Sequence, residues 1–324
     1  MASRFSAKLV RNAVISIALT VLLVVFLAKQ LEGDVLSALR QASLGGVLIA
    51  AAAYVLCYLF RAWRFQILLR GKAQLRDLVG VVAIHNLFTN LLPFRSGELS
   101  YPYLMSKRGI GAGEGIATLV LARIADFLII SGAFLIALTF LPELPSLIES
   151  AVIGTWILMG VLFALALTAL FASGPAVRLL QRFTPKFFKH SAVGKWIWQK
   201  LREVDTAMRA LRGPALIQIL LSSAGIWLFQ FLTYAALLNG IALPISFAAV
   251  IVTVAVISLA SAIPIQGFAG IGTNEAYWTA VLMALGISKE LAIPAAFAQH
   301  FVIISFYAVL GVAGLLVERW HGGK

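Results

Sequence analysis

The 324-residue sequence is short of nearly everything a soluble protein spends on its surface. Only 12% of its residues are charged and 61% are hydrophobic, whereas soluble domains run near ~25% and ~45–50%. Acids are the scarcest: 13 Asp+Glu stand against 26 Lys+Arg, a formal net charge of +13. A lone cysteine, Cys57, set in an apolar run, excludes a disulfide framework and a thiolate metal site and reads as a packing residue. Ten prolines and 26 glycines exclude collagenous and low-complexity classes. There is no nucleophile elbow, no His/Glu metal spacing and no Asp-rich phosphate motif. No soluble catalytic site and no cofactor are therefore expected.

What is present is apolar length, with a mean hydropathy of +0.96. Runs near the ~17–25 residues needed to cross a bilayer lie at 12–28, 44–60, 116–141, 151–172, 215–239, 245–263 and 291–317. Lipid offers the backbone no partners, so such runs must be helices. The expected fold class is all-α, a polytopic membrane helix bundle of about seven to eight spans in a single domain over 1–324. Residues 13–28 follow basic residues as a signal peptide would, but Phe26-Leu27-Ala28 is a poor cleavage site, so a retained first span is expected.

The positive charge is concentrated. Residues 1–11 carry a net +3, 61–77 a net +4 and 173–214 a net +7, leaving the remainder almost neutral. Each stretch flanks an apolar run, as the positive-inside rule expects of cytoplasmic loops, which argues against a nucleic-acid surface. The N- and C-termini are then cytoplasmic in a cell (inner) membrane, with Lys29, Arg40 and Lys289 as the outward-facing bases. Within 173–214, Ile197, Leu201, Val204, Met208 and Leu211 form one stripe of a basic amphipathic helix. Such a helix suits the anionic inner leaflet or the ends of the bundle.

Two segments interrupt the pattern. In the first half (12–172), the segment 78–98 contains an apolar stretch, 78–92, too short to span, followed by Asn90-x-x-Pro93-x-Arg95-x-Gly97-Glu98. In the second half (215–317), the segment 262–287 contains Pro264-x-x-Gly267-x-x-Gly270-x-Gly272-x-Asn274-Glu275. The glycine spacing fits neither nucleotide-loop fingerprint. Pro93 and Pro264 break helices, and the glycines permit tight turns. Both segments read as broken or re-entrant helices, tolerated in a membrane only when buried in protein or lining a cavity. The topology set by the charges takes 78–92 as dipping and returning and 262–287 as one broken span that crosses; 78–92 crossing fully is the disfavoured alternative. Their Pro/Gly/Glu echo in opposite halves hints at an inverted repeat with a midplane site.

Candidate substrate-binding residues are Asn86, Asn90, Arg95, Glu98 and Tyr101 at the first break, and Asn274 and Glu275 at the second. Arg123 and Asp126 lie at i, i+3 inside a span, as a mutually neutralising pair or a transport site. Arg61 and Arg64 sit where a run ends, as snorkelling anchors or phosphate contacts. Gln230, Gln299, His300 and His85 are further polar side chains for a cavity.

Arg61-Ala-Trp-Arg64, Asn90-Leu-Leu-Pro93-x-Arg95-x-Gly97-Glu98, Ala122-Arg123-x-x-Asp126 and the Gly267–Glu275 stretch together resemble the family typified by the transmembrane region of lysylphosphatidylglycerol synthase/flippase. The resemblance spans roughly residues 10–317. It implies a flippase-type bundle with two re-entrant segments, moving phospholipids or other head-group-bearing lipids between leaflets. The sequence stops at Lys324, so the soluble aminoacyl-transferase domain of bifunctional members, and aminoacylation with it, is not expected.

The leading expectation is a non-enzymatic lipid flippase whose partners are membrane lipids: an anionic or aminoacylated phospholipid, or a polyprenyl-phosphate lipid. Arg61, Arg64 and Arg95 would attract phosphate, while Glu98, Asp126 and Glu275 would meet a cationic head group or carry protons. A homo-oligomer is left open. The alternatives are a membrane enzyme or glycosyltransferase-associated protein using Glu98 with His85 on a polyprenyl-phosphate lipid, and a scaffold subunit.

Overall fold

The computed structural model describes residues 42–141, 157, 160, 213–243, 245–261 and 266–322. The expected spans at 12–28 and 151–172, the 142–150 turn, nearly all of the basic 173–214 loop, and Pro264 lie outside the described residues. Among the described residues the chain is helical, without strands. Its helices are α1 (Leu44–Leu68), α2 (Leu75–Leu91), α3 (Ser100–Ser106), α4 (Ala112–Leu138), α5 (Pro214–Gly240), α6 (Phe247–Ala260), α7 (Thr273–Ala284) and α8 (Lys289–Gly322). Short 3₁₀ turns at Pro93–Leu99 and Phe268–Gly270 interrupt them. Among the described residues four helices, α1, α4, α5 and α8, are long and apolar enough to cross a bilayer.

The long helices define two ends. α1 and α5 run antiparallel, and at one end the Ser43 N–H donates to the Gly240 carbonyl at 2.8 Å. Gly46 lets the backbones touch there, since a Cβ would fall 2.9 Å from the Ala236 carbonyl oxygen. This is the small-residue packing typical of membrane helices, where van der Waals fit replaces the hydrophobic drive. At the opposite, basic end, Lys72 after α1 pairs with Glu114 in the first turn of α4 at 2.7 Å. Arg108, between α3 and α4, pairs there with Glu318 near the end of α8. Arg70, Lys72 and Arg76 of the basic stretch and Lys107 and Arg108 thus share one end, as the topology read from the sequence requires.

Those pairs make α2–α3 a re-entrant hairpin. The chain enters from the basic end along α2, about 26 Å long at 1.5 Å per residue, and turns at Pro93–Leu99. It returns along α3 to the same end, packed on the start of α4, where the Thr118 hydroxyl donates to the Tyr101 hydroxyl at 3.3 Å. At the turn, Phe94 (φ 55°) and Arg95 (φ 53°) are both left-handed, a conformation that costs a non-glycine residue roughly 1–2 kcal/mol. Gly97 folds the turn back onto α2 so closely that a Cβ would lie 2.0 Å from the Phe88 carbonyl oxygen.

The second hairpin enters from the other end. α6 starts a few residues after α5 finishes beside Ser43, and α7 leads through residues 285–288 into α8. α8 runs past Tyr54, whose ring meets Phe306 at 5.5 Å, and on to the basic end. α6 and α7 therefore both open towards the end opposite the basic one. At about 21 Å and 18 Å, neither reaches across a ~30 Å hydrocarbon layer. The run 245–263, expected to span fully, is half of a hairpin. The segment 262–287 is its turn and returning arm rather than a crossing, because the α7 helix doubles back beside α6.

The two hairpins meet tip to tip. The Phe94 N–H donates to the Gln266 carbonyl at 3.1 Å, and Arg95 Nη1 donates to the Ser261 carbonyl at 2.7 Å. Two apolar clusters flank the junction. One, around Phe65, Val82, Tyr101 and Met105, holds the first hairpin; the other, around Phe134, Ile226, Trp278 and Leu282, holds the second.

Two outcomes test this arrangement. Gly97→Ala forces a methyl group into backbone and should cost at least ~2 kcal/mol by overpacking, read as a lowered unfolding midpoint in detergent. Single Arg76→Cys and Lys107→Cys variants should label from one face of a sealed vesicle and Lys289→Cys from the other; labelling of Arg76→Cys and Lys107→Cys from opposite faces would overturn the first hairpin.

Candidate functional site: a polar cavity between the hairpin tips

A cavity of 560 Å³ opens where the tips meet. All the long helices and both turns contribute: Tyr54 and Arg61 from α1, Asn86 and Asn90 from α2, and Arg95 and Glu98 from the first turn. Arg123 and Asp126 come from α4, Trp227 and Gln230 from α5, Gly270 and Asn274 from the second tip, and His300 and Tyr307 from α8. The volume is in the ~300–1,000 Å³ range of small-molecule sites.

Each carboxylate around it is already engaged. Asp126 Oδ1 accepts from Arg64 Nη1 at 2.5 Å and Oδ2 from Arg64 Nη2 at 3.2 Å. The Trp227 indole N–H adds a third bond to Oδ1 at 2.9 Å, and Ser223 accepts from the same guanidinium at 3.0 Å. Arg64 is 4% exposed and ties α1, α4 and α5 together behind the wall. Glu98 is shared by two guanidiniums, Arg123 Nη2 at 2.9 Å and Arg95 Nε at 3.4 Å. Glu275 sits at the third position of α7, where a negative charge meets the positive end of the helix dipole. Its Oε2 accepts the Gly272 N–H at 2.7 Å, and its Oε1 lies 2.7 Å from His300 Nδ1.

Arg61 differs. Its Nη1 donates to Asn86 Oδ1 at 3.1 Å and its Nη2 to Gln230 Oε1 at 3.3 Å, so both partners are neutral amides. Its buried Nε, like those of Arg64 and Arg95, has no hydrogen-bond partner among the described residues, and neither has Asn86 Nδ2.

The structure sorts the sequence candidates. It brings together Arg61, Asn86, Asn90, Arg95, Glu98, Arg123, Asp126 and Asn274, with Gly270 in the wall. Pro93 opens the first turn, while Gly267 and Gly272 flank the second. Gln230 and His300 join the wall, as their polarity within spans suggested. Arg64, Tyr101 and Glu275 stand behind it. Tyr101 is fully buried, its ring stacked on Phe65 at 4.3 Å.

Three expectations change. Arg123 and Asp126 do not neutralise each other: Arg123 turns to Glu98 and Asp126 to Arg64. Arg61 and Arg64, read as snorkelling anchors or phosphate contacts where an apolar run ends, do not snorkel: α1 continues to Leu68, Arg61 lines the cavity and Arg64 pairs with Asp126. His85, read as the partner of Glu98, lies outside the wall with Nδ1 3.1 Å from Ser100 Oγ and 3.4 Å from Thr89 Oγ1. The sequence reading missed Tyr54, Trp227, Trp278 and Tyr307 as wall residues. Their signal was position: they fall within apolar runs rather than at the ends, where interfacial aromatics gather.

These features define a class: a polytopic helical membrane protein built around a polar cavity between two opposed half-spanning hairpins. Residues 13–311 match the family model described as "Lysylphosphatidylglycerol synthase TM region". The chain belongs to that family, and its function is membrane- and lipid-related. No curated protein and no solved structure matches it.

Asp126→Asn leaves the buried Arg64 without its carboxylate and should cost about 3–5 kcal/mol. Glu98→Gln, at a side chain 38% exposed, should change stability by less than ~1 kcal/mol. Unfolding midpoints of the two variants in detergent check the contrast.

Proposed function

We propose that the protein is a lipid flippase: the cavity between the hairpin tips carries a lipid head group between leaflets and leaves the lipid chemically unchanged. The observation behind this reading is the contact between tips entering from opposite ends. A cavity at that junction can open to either side by movement of one hairpin against the other, the alternating access used by transporters built from broken helices. Among the described residues two hydrogen bonds, Phe94 to Gln266 and Arg95 to Ser261, join the turns.

The energetic problem is the head group. An isolated ionised group moved into hydrocarbon costs tens of kcal/mol. Guanidiniums, amides and hydroxyls lining the cavity replace the lost hydration, while the acyl chains stay in lipid beside the bundle. Glu98 and Arg123, whose side chains are 38% and 40% exposed, mark the side from which a head group enters. The basic end, with Arg70, Lys72, Arg76, Lys107 and Arg108 against Lys289 opposite, faces the cytoplasm of a cell membrane by the positive-inside rule.

Purified protein reconstituted into vesicles should move a fluorescent phospholipid between leaflets, with the lipid recovered intact. Arg95→Gln removes one tip-to-tip bond and a cavity charge and should slow movement by about tenfold. Recovery of a lipid carrying a new covalent group would overturn the reading.

A further inference from the structure

We infer that the cavity selects a head group of net negative charge, a phosphate without a balancing amine, and that Arg61 is the residue that receives it. The inference rests on the reading of the cavity as a head-group site and narrows it. It follows from the charge inventory. Arg61, Arg64, Arg95 and Arg123 stand against Asp126, Glu98 and Glu275, so the site is positive by one charge with His300 neutral and by two with His300 protonated. An excess of one sign in a cleft with low-dielectric walls favours ligands of the other.

Distribution sharpens the argument. Asp126 is held on both oxygens by Arg64, Glu98 by two arginines, and Glu275 by a backbone N–H and His300. Every carboxylate already has a cationic or N–H partner, Glu98 through Oε1 alone, so none stands as an uncompensated charge for an ammonium group. Arg61 differs from Arg64, Arg95 and Arg123 in having no carboxylate in contact among the described residues, its partners being two neutral amides. A cation in a low-dielectric wall with no carboxylate in contact is incompletely compensated, and a phosphate oxygen is the acceptor a guanidinium fits best, through paired N–H bonds. The unpartnered Asn86 Nδ2 beside it supplies another donor. The wall therefore suits phosphatidylglycerol or a phosphomonoester lipid and disfavours a lysyl-bearing one, whose ammonium groups would meet Arg95 and Arg123.

The test is binding to the full-length protein in detergent, followed by tryptophan fluorescence, since Trp227 and Trp278 lie in the wall. The probes are phosphatidylglycerol, lysyl-phosphatidylglycerol, phosphatidylcholine and inorganic phosphate. Phosphatidylglycerol should bind at least about tenfold more tightly than the lysyl lipid, and Arg61→Gln should weaken it about tenfold while Arg61→Lys loses less. The lysyl lipid binding as tightly, or Arg61→Gln binding as wild type, would overturn the inference. Inorganic phosphate matching the lipid would make a soluble anion the ligand and overturn it equally. If Arg61→Gln does not fold, the order of the probes on the wild-type protein decides. Selective binding without movement of any lipid in vesicles would retain the anionic subsite and remove the flippase reading.

Discussion

A helix that stops inside a bilayer leaves its last carbonyls without partners and without water, and the rest of this structure is arranged around that debt. α6 ends at Ala260, and the carbonyls of Ser261 and Gln266 lie beyond it at the tip. They accept from Arg95 and from the Phe94 N–H of the opposite hairpin. The left-handed backbone at Phe94 and Arg95 lets the first tip present those donors. Each hairpin thus satisfies part of the other. Neither tip is stable at that depth alone, because an unpaired polar group in an apolar interior costs several kcal/mol.

The same logic governs the charges. Burying Arg64 is possible because Asp126 neutralises it, and that pair holds α1, α4 and α5 in register. The pair braces three helices, and Asp126 also borders the cavity. Glu98 plays the corresponding part at the first tip, drawing Arg95 and Arg123 together. With the acids committed, the character of the cavity is set by the donors left over.

Much of the architecture was legible in the chain. The spans α1, α4, α5 and α8 follow from hydropathy, since lipid imposes helix on any long apolar run. The two breaks follow from Pro93, Gly97 and the glycines of 267–272, because those residues punctuate a helix in any context. The gathering of Arg95, Glu98, Arg123 and Asp126 was readable because ionised residues in apolar runs must face a cavity or one another. Pairing was harder. The i, i+3 spacing of Arg123 and Asp126 puts both on one face of α4, but which acid each base meets depends on helices distant in sequence, α1 at Arg64 and the first turn at Glu98.

The amino-acid sequence by itself determined the class of solvent this protein folds in, the helices that cross it and the places where helix fails, because these depend on local composition and backbone chemistry. The tertiary structure alone decided that 245–287 turns back instead of crossing, that the two breaks touch, and that Arg64 rather than Arg61 is the one in contact with Asp126. Those outcomes depend on which groups meet across the bundle, and where water is absent every buried charge and carbonyl must find its partner in three dimensions.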